Sequence, residues 1–382
     1  MYMTYNAKQF ATDYVERRTY IFSNETLFLI YFLPIYFLKL LNITAENVLL
    51  QVVSVLAICF AFVLFTRHRY TFRELITWII LFAIFVLITL CSHKEGALLS
   101  LITIFSFKNL NQKKLYSKIF FVGIFGVLIS MIIEFDGEAS NRFIGGEWVT
   151  IYKRSNILFI AFYTLIALYV LIKRGRISFK ELVIIGILSF LMHQYTGSRT
   201  GILIAAVFIV LALIFRIKCI RRSKIVYFLI MLLPIGCFFV SVLFSVLYPS
   251  NGSVQTLDLI VQGRFRLGNL FLNTYTPQLF GQAIVENMDP NAFMVLDNAY
   301  LDMLLAYGVL FSIIWICVST LVIRFLYKQG RMVEIALVCS YLIYGISETF
   351  LPNCFLNISL FLYAEYIHSL IYKKIILRRS NV

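Results

Sequence analysis

Charge is scarce in this sequence: only 14% of its 382 residues are charged, while 61% are hydrophobic, and the mean hydropathy is +0.87. A soluble domain of ordinary composition carries about 25% charged residues, so that class is excluded. Cysteine is present without a pattern. The seven residues Cys59, Cys91, Cys219, Cys237, Cys317, Cys339 and Cys354 are odd in number, sit mostly inside apolar runs and form no C-x-x-C pair. Neither a disulfide framework nor a zinc site is indicated. No small-residue cleavage site follows the first apolar run, so the first helix is expected to be retained behind the polar, basic residues 1–24. There is no internal repeat and no low-complexity tract.

What the sequence does have is recurrent apolar runs. A helix needs about 20 mainly apolar residues to cross a bilayer. Runs near that size predict helices at 25–41, 48–65, 75–91, 96–107, 119–133, 157–172, 182–195, 200–215, 225–247, 299–323, 332–348 and 355–372. The expectation is an all-α polytopic membrane protein of about 12 transmembrane helices, a single integral membrane domain spanning 1–382. The run at 96–107 is the weakest, but it keeps alternate loops basic.

The net charge of +15 raises the question of nucleic acid, yet in a membrane protein the first issue is which side holds the lysines and arginines. With both termini cytoplasmic, the basic clusters at 8–18, 67–73, 108–118, 173–180, 216–224, 324–331 and 373–379 all lie inside. That order agrees with the positive-inside rule, and no nucleic-acid partner is expected. The basic residues left outside are Lys39, Lys94, Arg142, Lys153, Arg154, Arg199, Arg264 and Arg266.

Two outward loops are long, 134–156 and 248–298, the latter between the ninth and tenth predicted helices. The larger carries Pro249, Pro277 and Pro290, but also apolar pieces at 257–261, 267–272 and 292–296 that predict short interfacial helices. Outward arginines in such loops call for a reason, and an anionic ligand supplies one, because guanidinium forks hold phosphate oxygens bidentately. The plainer alternative is that they snorkel to headgroups or pair with Glu134, Asp136, Glu138 and Glu147.

Arg199 stands in Tyr195-Thr196-Gly197-Ser198-Arg199-Thr200-Gly201, a tight turn between two predicted helices. Flanking glycines permit close backbone approach, and the Ser198 and Thr200 hydroxyls with the amides of a helix start can donate to an anion. Asp297 precedes the tenth predicted helix, where it reads first as an N-cap and second as a general base, two compatible roles. His193, Tyr195, Asn298 and Tyr300 are further candidates for substrate contact, as are Arg142 and Arg154. Glu348 and Glu365 fall in or near predicted spans, where ionisable groups are functional or paired; pairing is expected for Glu365. Most of the 37 Phe and 23 Tyr are expected in interface belts and on lipid-facing surfaces.

Three features occur in an order that resembles the superfamily of O-antigen ligases and Wzy-type polysaccharide polymerases. Gly197-Ser198-Arg199-Thr200-Gly201 resembles its S-R-[TG]-G turn. Gly263-Arg264 resembles the Gly-Arg at the start of its large extracytoplasmic loop. The segment from Asp297-Asn298-Ala299-Tyr300-Leu301 through Gly308 resembles its H/D-N-x-[YF]-L-x-x-L-x-x-x-G segment.

The resemblance implies a GT-C-like membrane glycosyltransferase in the bacterial cytoplasmic membrane, using undecaprenyl-diphosphate-linked glycans as donor and acceptor, with no metal or other cofactor. Partners implied with it are membrane lipids, a chain-length regulator and a flippase. Arg199 and Arg264, by motif match, would hold the donor diphosphate, with Arg266, Ser198 and Thr200 beside them. Fixed guanidinium groups can stabilise the departing diphosphate electrostatically. The ligases carry histidine where this chain has Asp297, which favours polymerase over ligase. A flippase or transporter is the alternative from another class; such proteins keep polar, broken helices near the midplane and often show two related halves.

Overall fold

A computed structural model describes residues 22–43, 47–68, 70–136, 140–144, 147–151, 155–287 and 294–379. The amino-terminal segment, with Lys8, Arg17 and Arg18, lies outside the described residues, as do Lys153 and Arg154.

The protein is a helical membrane protein. In chain order its elements are α1 (Asn24–Leu40), α2 (Val48–Arg67), α3 (Phe72–Ser92), α4 (Gly96–Ser106), α5 (Gln112–Asp136), a hairpin of β1 (Ser140–Ile144) and β2 (Glu147–Ile151), α6 (Ser155–Ile172), α7 (Phe179–Thr196), α8 (Arg199–Ile214), α9 (Lys218–Arg222), α10 (Lys224–Leu247), α11 (Gly252–Ile260), α12 (Arg264–Thr274), α13 (Ala299–Asp302), α14 (Val309–Lys328), α15 (Met332–Tyr344) and α16 (Leu360–Arg379). Helix occupies at least part of every predicted apolar run. Among the described residues, five are long and apolar enough to cross a membrane: α2, α3, α5, α10 and α14. Their apolar windows are only 22–39% buried, so most of that surface faces outward from the fold, as expected where the surrounding solvent is hydrocarbon.

Start and stop signals set the ends. Thr71 and Ser178 form capping boxes with Glu74 and Glu181, opening α3 and α7. The first long loop contains the antiparallel hairpin, with Asn141 opposite Thr150 and Phe143 opposite Trp148. The other elements among the described residues are helical, as the all-α expectation has it. Gly145-Gly146 between the strands is a two-residue hairpin signal that a reading led by hydropathy passes over.

Lipid offers no hydrophobic drive for helix to pack on helix, so polar contacts and close fit hold the bundle. Buried tyrosines supply the contacts: Tyr31 to Thr103 at 2.7 Å, Tyr36 to Thr164 at 2.8 Å, Tyr163 to Ser340 at 2.6 Å and Tyr363 to Ser319 at 2.9 Å. These bonds join α1 to α4 and to α6, α6 to α15, and α16 to α14. Phe32 packs against Phe355 and Phe361 with ring centroids 4.9 and 5.4 Å apart, adding an aromatic centre. Many of the aromatics expected at lipid are therefore inside. Arg331 bridges Glu334 at 2.5 Å and Glu365 at 2.6 Å, so Glu365 is paired.

Two predicted helices are broken. The tenth, read as continuous over 299–323, is interrupted: a π turn, Met303–Tyr307, follows α13 and ends at Gly308, whose φ is +95°. The loop segment 278–282 docks into the break. Gln282 N donates to Ala306 O at 3.0 Å, while Val309 N and Leu310 N donate to the carbonyls of Gln278 and Leu279 at 2.9 and 3.2 Å. Main-chain groups freed by the break are thereby satisfied. Gly281 and Gly308 face each other so closely that a Cβ on Gly281 would lie 1.8 Å from Ala306 O.

The second break follows α15. Residues 345–359 form turns rather than the predicted helix ends, yet Leu351, Cys354, Phe355 and Ile358 are buried. Irregular backbone at such depth must be satisfied by protein. Here Ser100 Oγ donates to Pro352 O at 2.5 Å and accepts from Cys354 N at 2.8 Å, and Asn357 Nδ2 donates to Leu351 O at 2.8 Å. Within the large loop, α11 and α12 answer the first two apolar pieces. The third, 292–296, is not helical where described, since Met294 bridges Asn287.

Candidate functional site

Asp258 sets the position of Arg264. Its buried carboxylate Oδ1 accepts from Phe265 N at 2.7 Å and from Arg266 N at 3.4 Å, tying the end of α11 to the start of α12. A carboxylate at a helix N-terminus is favoured by the dipole and by the free amides there. Arg264, the first residue of α12, is thereby held pointing inward and is buried. One terminal nitrogen (Nη2) lies 3.2 Å from Asp297 Oδ2, and Nε donates to Ser347 O at 3.4 Å.

Asp297 is placed by its neighbours. Asn298 is the N-cap of α13: its Oδ1 accepts from Tyr300 N at 3.0 Å and Leu301 N at 3.1 Å, and its Nδ2 donates to Ile346 O at 3.0 Å. Ala299 N donates to both Gly345 O and Glu348 O. The capping role read for Asp297 thus belongs to Asn298, and the Asp297 side chain, 29% exposed, turns to Arg264.

Glu348 completes this cluster. It is buried, and its Oε1 has no hydrogen-bond partner among the described residues. Burial, and after it the Asp297 charge, push its carboxyl up to about 8 against the opposing pull of Arg264. Nearby, the Tyr344 hydroxyl at the end of α15 faces both Glu348 and Thr200. The Tyr344 and Thr200 hydroxyls are neighbours without a well-formed hydrogen bond. A chain of polar groups therefore runs from the start of α8, through the end of α15, to Arg264 and Asp297.

The glycine-flanked turn lies at one end of that chain. Gly197, at φ +67°, ends α7, and Ser198 caps α8, its Oγ accepting from Gly201 N at 3.2 Å. That hydroxyl also donates to Asn156 Oδ1 at 2.9 Å and is buried, so its bonds are spent on the turn. Arg199 is exposed at the helix start and makes no ion pair among the described residues. Arg266 is exposed on α12.

The other candidates separate from this cluster. His193 Nδ1 donates to Ser198 O at 3.0 Å and Tyr195 Oη to Met131 O at 2.7 Å, so both brace the turn. Tyr300 is fully buried and donates to Leu342 O at 2.6 Å; it is a core residue and offers no platform for a sugar ring. Arg142 is on β1 opposite Val149, and Arg154 lies outside the described residues.

Sequence reasoning missed Asp258 and the partner of Asp302. Asp302 is buried and pairs at 2.5 Å with Lys94, between α3 and α4. Glu286 from the large loop lies within electrostatic reach of Lys94, and its carboxyl is raised by burial, which Lys94 opposes. An ionisable residue at the fourth position of a predicted helix was the available signal for Asp302; its partner 208 positions away had none. No protein-family model, curated protein or solved structure matches the chain.

Proposed function

We propose that this chain is a membrane glycosyltransferase that joins undecaprenyl-diphosphate-linked repeat units into a polysaccharide on the outer face of the bacterial cytoplasmic membrane. In this reading the chain crosses about 12 times with both termini inside. The end bearing α11, α12 and the 345–359 segment faces out.

The observation that carries the reading is the buried Arg264, held by Asp258, Asp297 and the Ser347 carbonyl at the end of the bundle where Arg199 opens α8. A buried guanidinium with a partly exposed carboxylate as its counter-ion can exchange that carboxylate for a phosphate oxygen, and in a partly dry site the exchange is strong. A departing lipid diphosphate gains negative charge as the glycosidic bond breaks, and fixed cations stabilise that charge without reorganising. Broken helices meeting at this end provide irregular backbone that a lipid-linked head can approach.

The test is the analysis of lipid-linked glycans and chain length in a deletion strain complemented with Arg199→Ala or Arg264→Ala at normal membrane levels. Single repeat units without long chains are expected for both. Completed polymer accumulating on the lipid carrier in the deletion strain would indicate a ligase instead. Repeat units stranded on the cytoplasmic leaflet would indicate a flippase. Wild-type chain lengths in either mutant would remove that arginine from the site.

A further inference from the structure

Asp297 and Glu348 both face Arg264, but their surroundings differ. Asp297 is partly exposed and its charge is engaged by the guanidinium at 3.2 Å. Glu348 is buried in the turn after α15, its Oε1 unpartnered among the described residues, and its main-chain carbonyl accepts from Ala299 N at 3.1 Å. The residue is thus stitched to the very segment that carries Asp297. The charged or titratable groups that face it are Arg264 from α12, Asp297 from the large loop and Tyr344 from the end of α15.

A buried carboxyl oxygen with no partner is costly, and natural structures keep few of them. A fixed structural role would have given it a donor, as Asp258 has in the amides of α12. Two carboxyls in unlike environments beside one cation is the arrangement by which enzymes divide acid–base work from charge holding.

We propose that Glu348 is the residue that accepts the proton of the acceptor hydroxyl, and that Asp297 is a positioning residue that holds Arg264. This rests on the glycosyl-transfer reading above. In the step, the acceptor O–H bond breaks and its proton passes to Glu348 Oε1. The acceptor oxygen bonds to the anomeric carbon, and the bond from that carbon to the diphosphate oxygen breaks, its electron pair leaving with the lipid diphosphate. Glu348 then releases the proton to water. The raised proton affinity that burial gives this carboxyl suits the task, since a base works best when its own titration lies near the operating pH.

The experiment uses the purified full chain in lipid nanodiscs, with the lipid-linked repeat units that accumulate in the deletion strain as substrate. Glu348→Gln is expected to lower kcat by about 10²–10⁴-fold with KM little changed. Asp297→Asn is expected to act mainly on KM. Wild-type kcat should rise with pH along a limb near pH 8 that Glu348→Gln lacks and Asp297→Asn keeps, moved to lower pH by the loss of the Asp297 charge. Infrared titration should show a protonated carboxyl band that disappears in Glu348→Gln, a readout that needs no turnover. If Glu348→Gln fails to reach the membrane, Glu348→Asp decides: a displaced limb supports the assignment, an unmoved one overturns it. An active wild type with unchanged kcat in Glu348→Gln, or a limb lost in Asp297→Asn instead, overturns the assignment of Glu348 alone. A wild type that extends no lipid-linked glycan overturns the polymerase reading and this inference with it.

Discussion

The Arg264 guanidinium stands 3.2 Å from the Asp297 carboxylate across a junction where α12, the end of the large loop and the turn after α15 converge. Arg264 is buried while its partner is 29% exposed, so the ion pair opens toward the side from which a ligand would enter. Replacing Arg264 by Lys keeps the charge but removes the planar fork that serves Asp297 and the Ser347 carbonyl together. We expect polymerisation to fall by at least about tenfold in Arg264→Lys with normal membrane levels. Chain length on gels, normalised to protein, measures this; unchanged chains would show that a point charge suffices.

The crossing of Gly281 and Gly308 makes a sharper prediction. A Cβ at Gly281 would sit 1.8 Å from Ala306 O, and its φ of +82° is unfavourable for any L side chain. Gly281→Ala must displace the 278–282 segment from the break in the helix. The expected result is a destabilisation of about 2 kcal/mol or more together with loss of activity. Thermal unfolding in detergent checks it, and a wild-type midpoint would mean that the segment docks loosely.

Lys94 and Asp302 test the value of a buried pair. Asp302 is buried, so Lys94→Met leaves an uncompensated charge, which costs about 3–5 kcal/mol in comparable sites. The double variant Lys94→Met with Asp302→Leu removes both charges and should recover much of the loss. A double-mutant cycle on unfolding midpoints provides the measurement; additive losses would show that the pair contributes little.

Glu348 predicts a pH dependence of stability. Its carboxyl titrates near 8 in the folded chain against an ordinary value of 4.5. The folded state therefore keeps a proton that the unfolded state releases. Stability from this group is fully present below about pH 4.5, declines as pH rises, and is lost by about pH 8. The unfolding midpoint should fall over that window in the wild type, and Glu348→Gln should flatten the fall. A fall of equal slope in both would assign it to other groups.

Much of this site was legible because its parts are marked by turns. Glycines flank Ser198 and Thr200, Gly263 precedes Arg264, and Asp297-Asn298 precedes an apolar run. Each signal is local, and each falls on an element boundary. What local signals could not settle was which of two adjacent Asx residues caps α13, because Asp297 and Asn298 offer nearly the same acceptor one position apart. The structure gives the cap to Asn298, which frees Asp297 for Arg264. The turns at 345–359 were hidden for another reason. Hydropathy registers burial and not backbone form, so the ends of this irregular segment, 345–348 and 355–359, read as helix although Ser100 and Asn357 seal the segment as turns. Lys94 and Asp302 show a third limit, because a partner 208 positions away leaves no spacing to read.

The seam between 278–282 and 306–310 is written in main-chain bonds, with glycine on both sides where the strands of chain meet. Such a seam is indifferent to the identity of the surrounding side chains. Residues along the rim of the large loop are therefore at liberty to change while the framework that presents Asp297 and Arg264 stays put. In the proposed glycosyl transferase, that separation would let the loop's rim change without disturbing the site it frames.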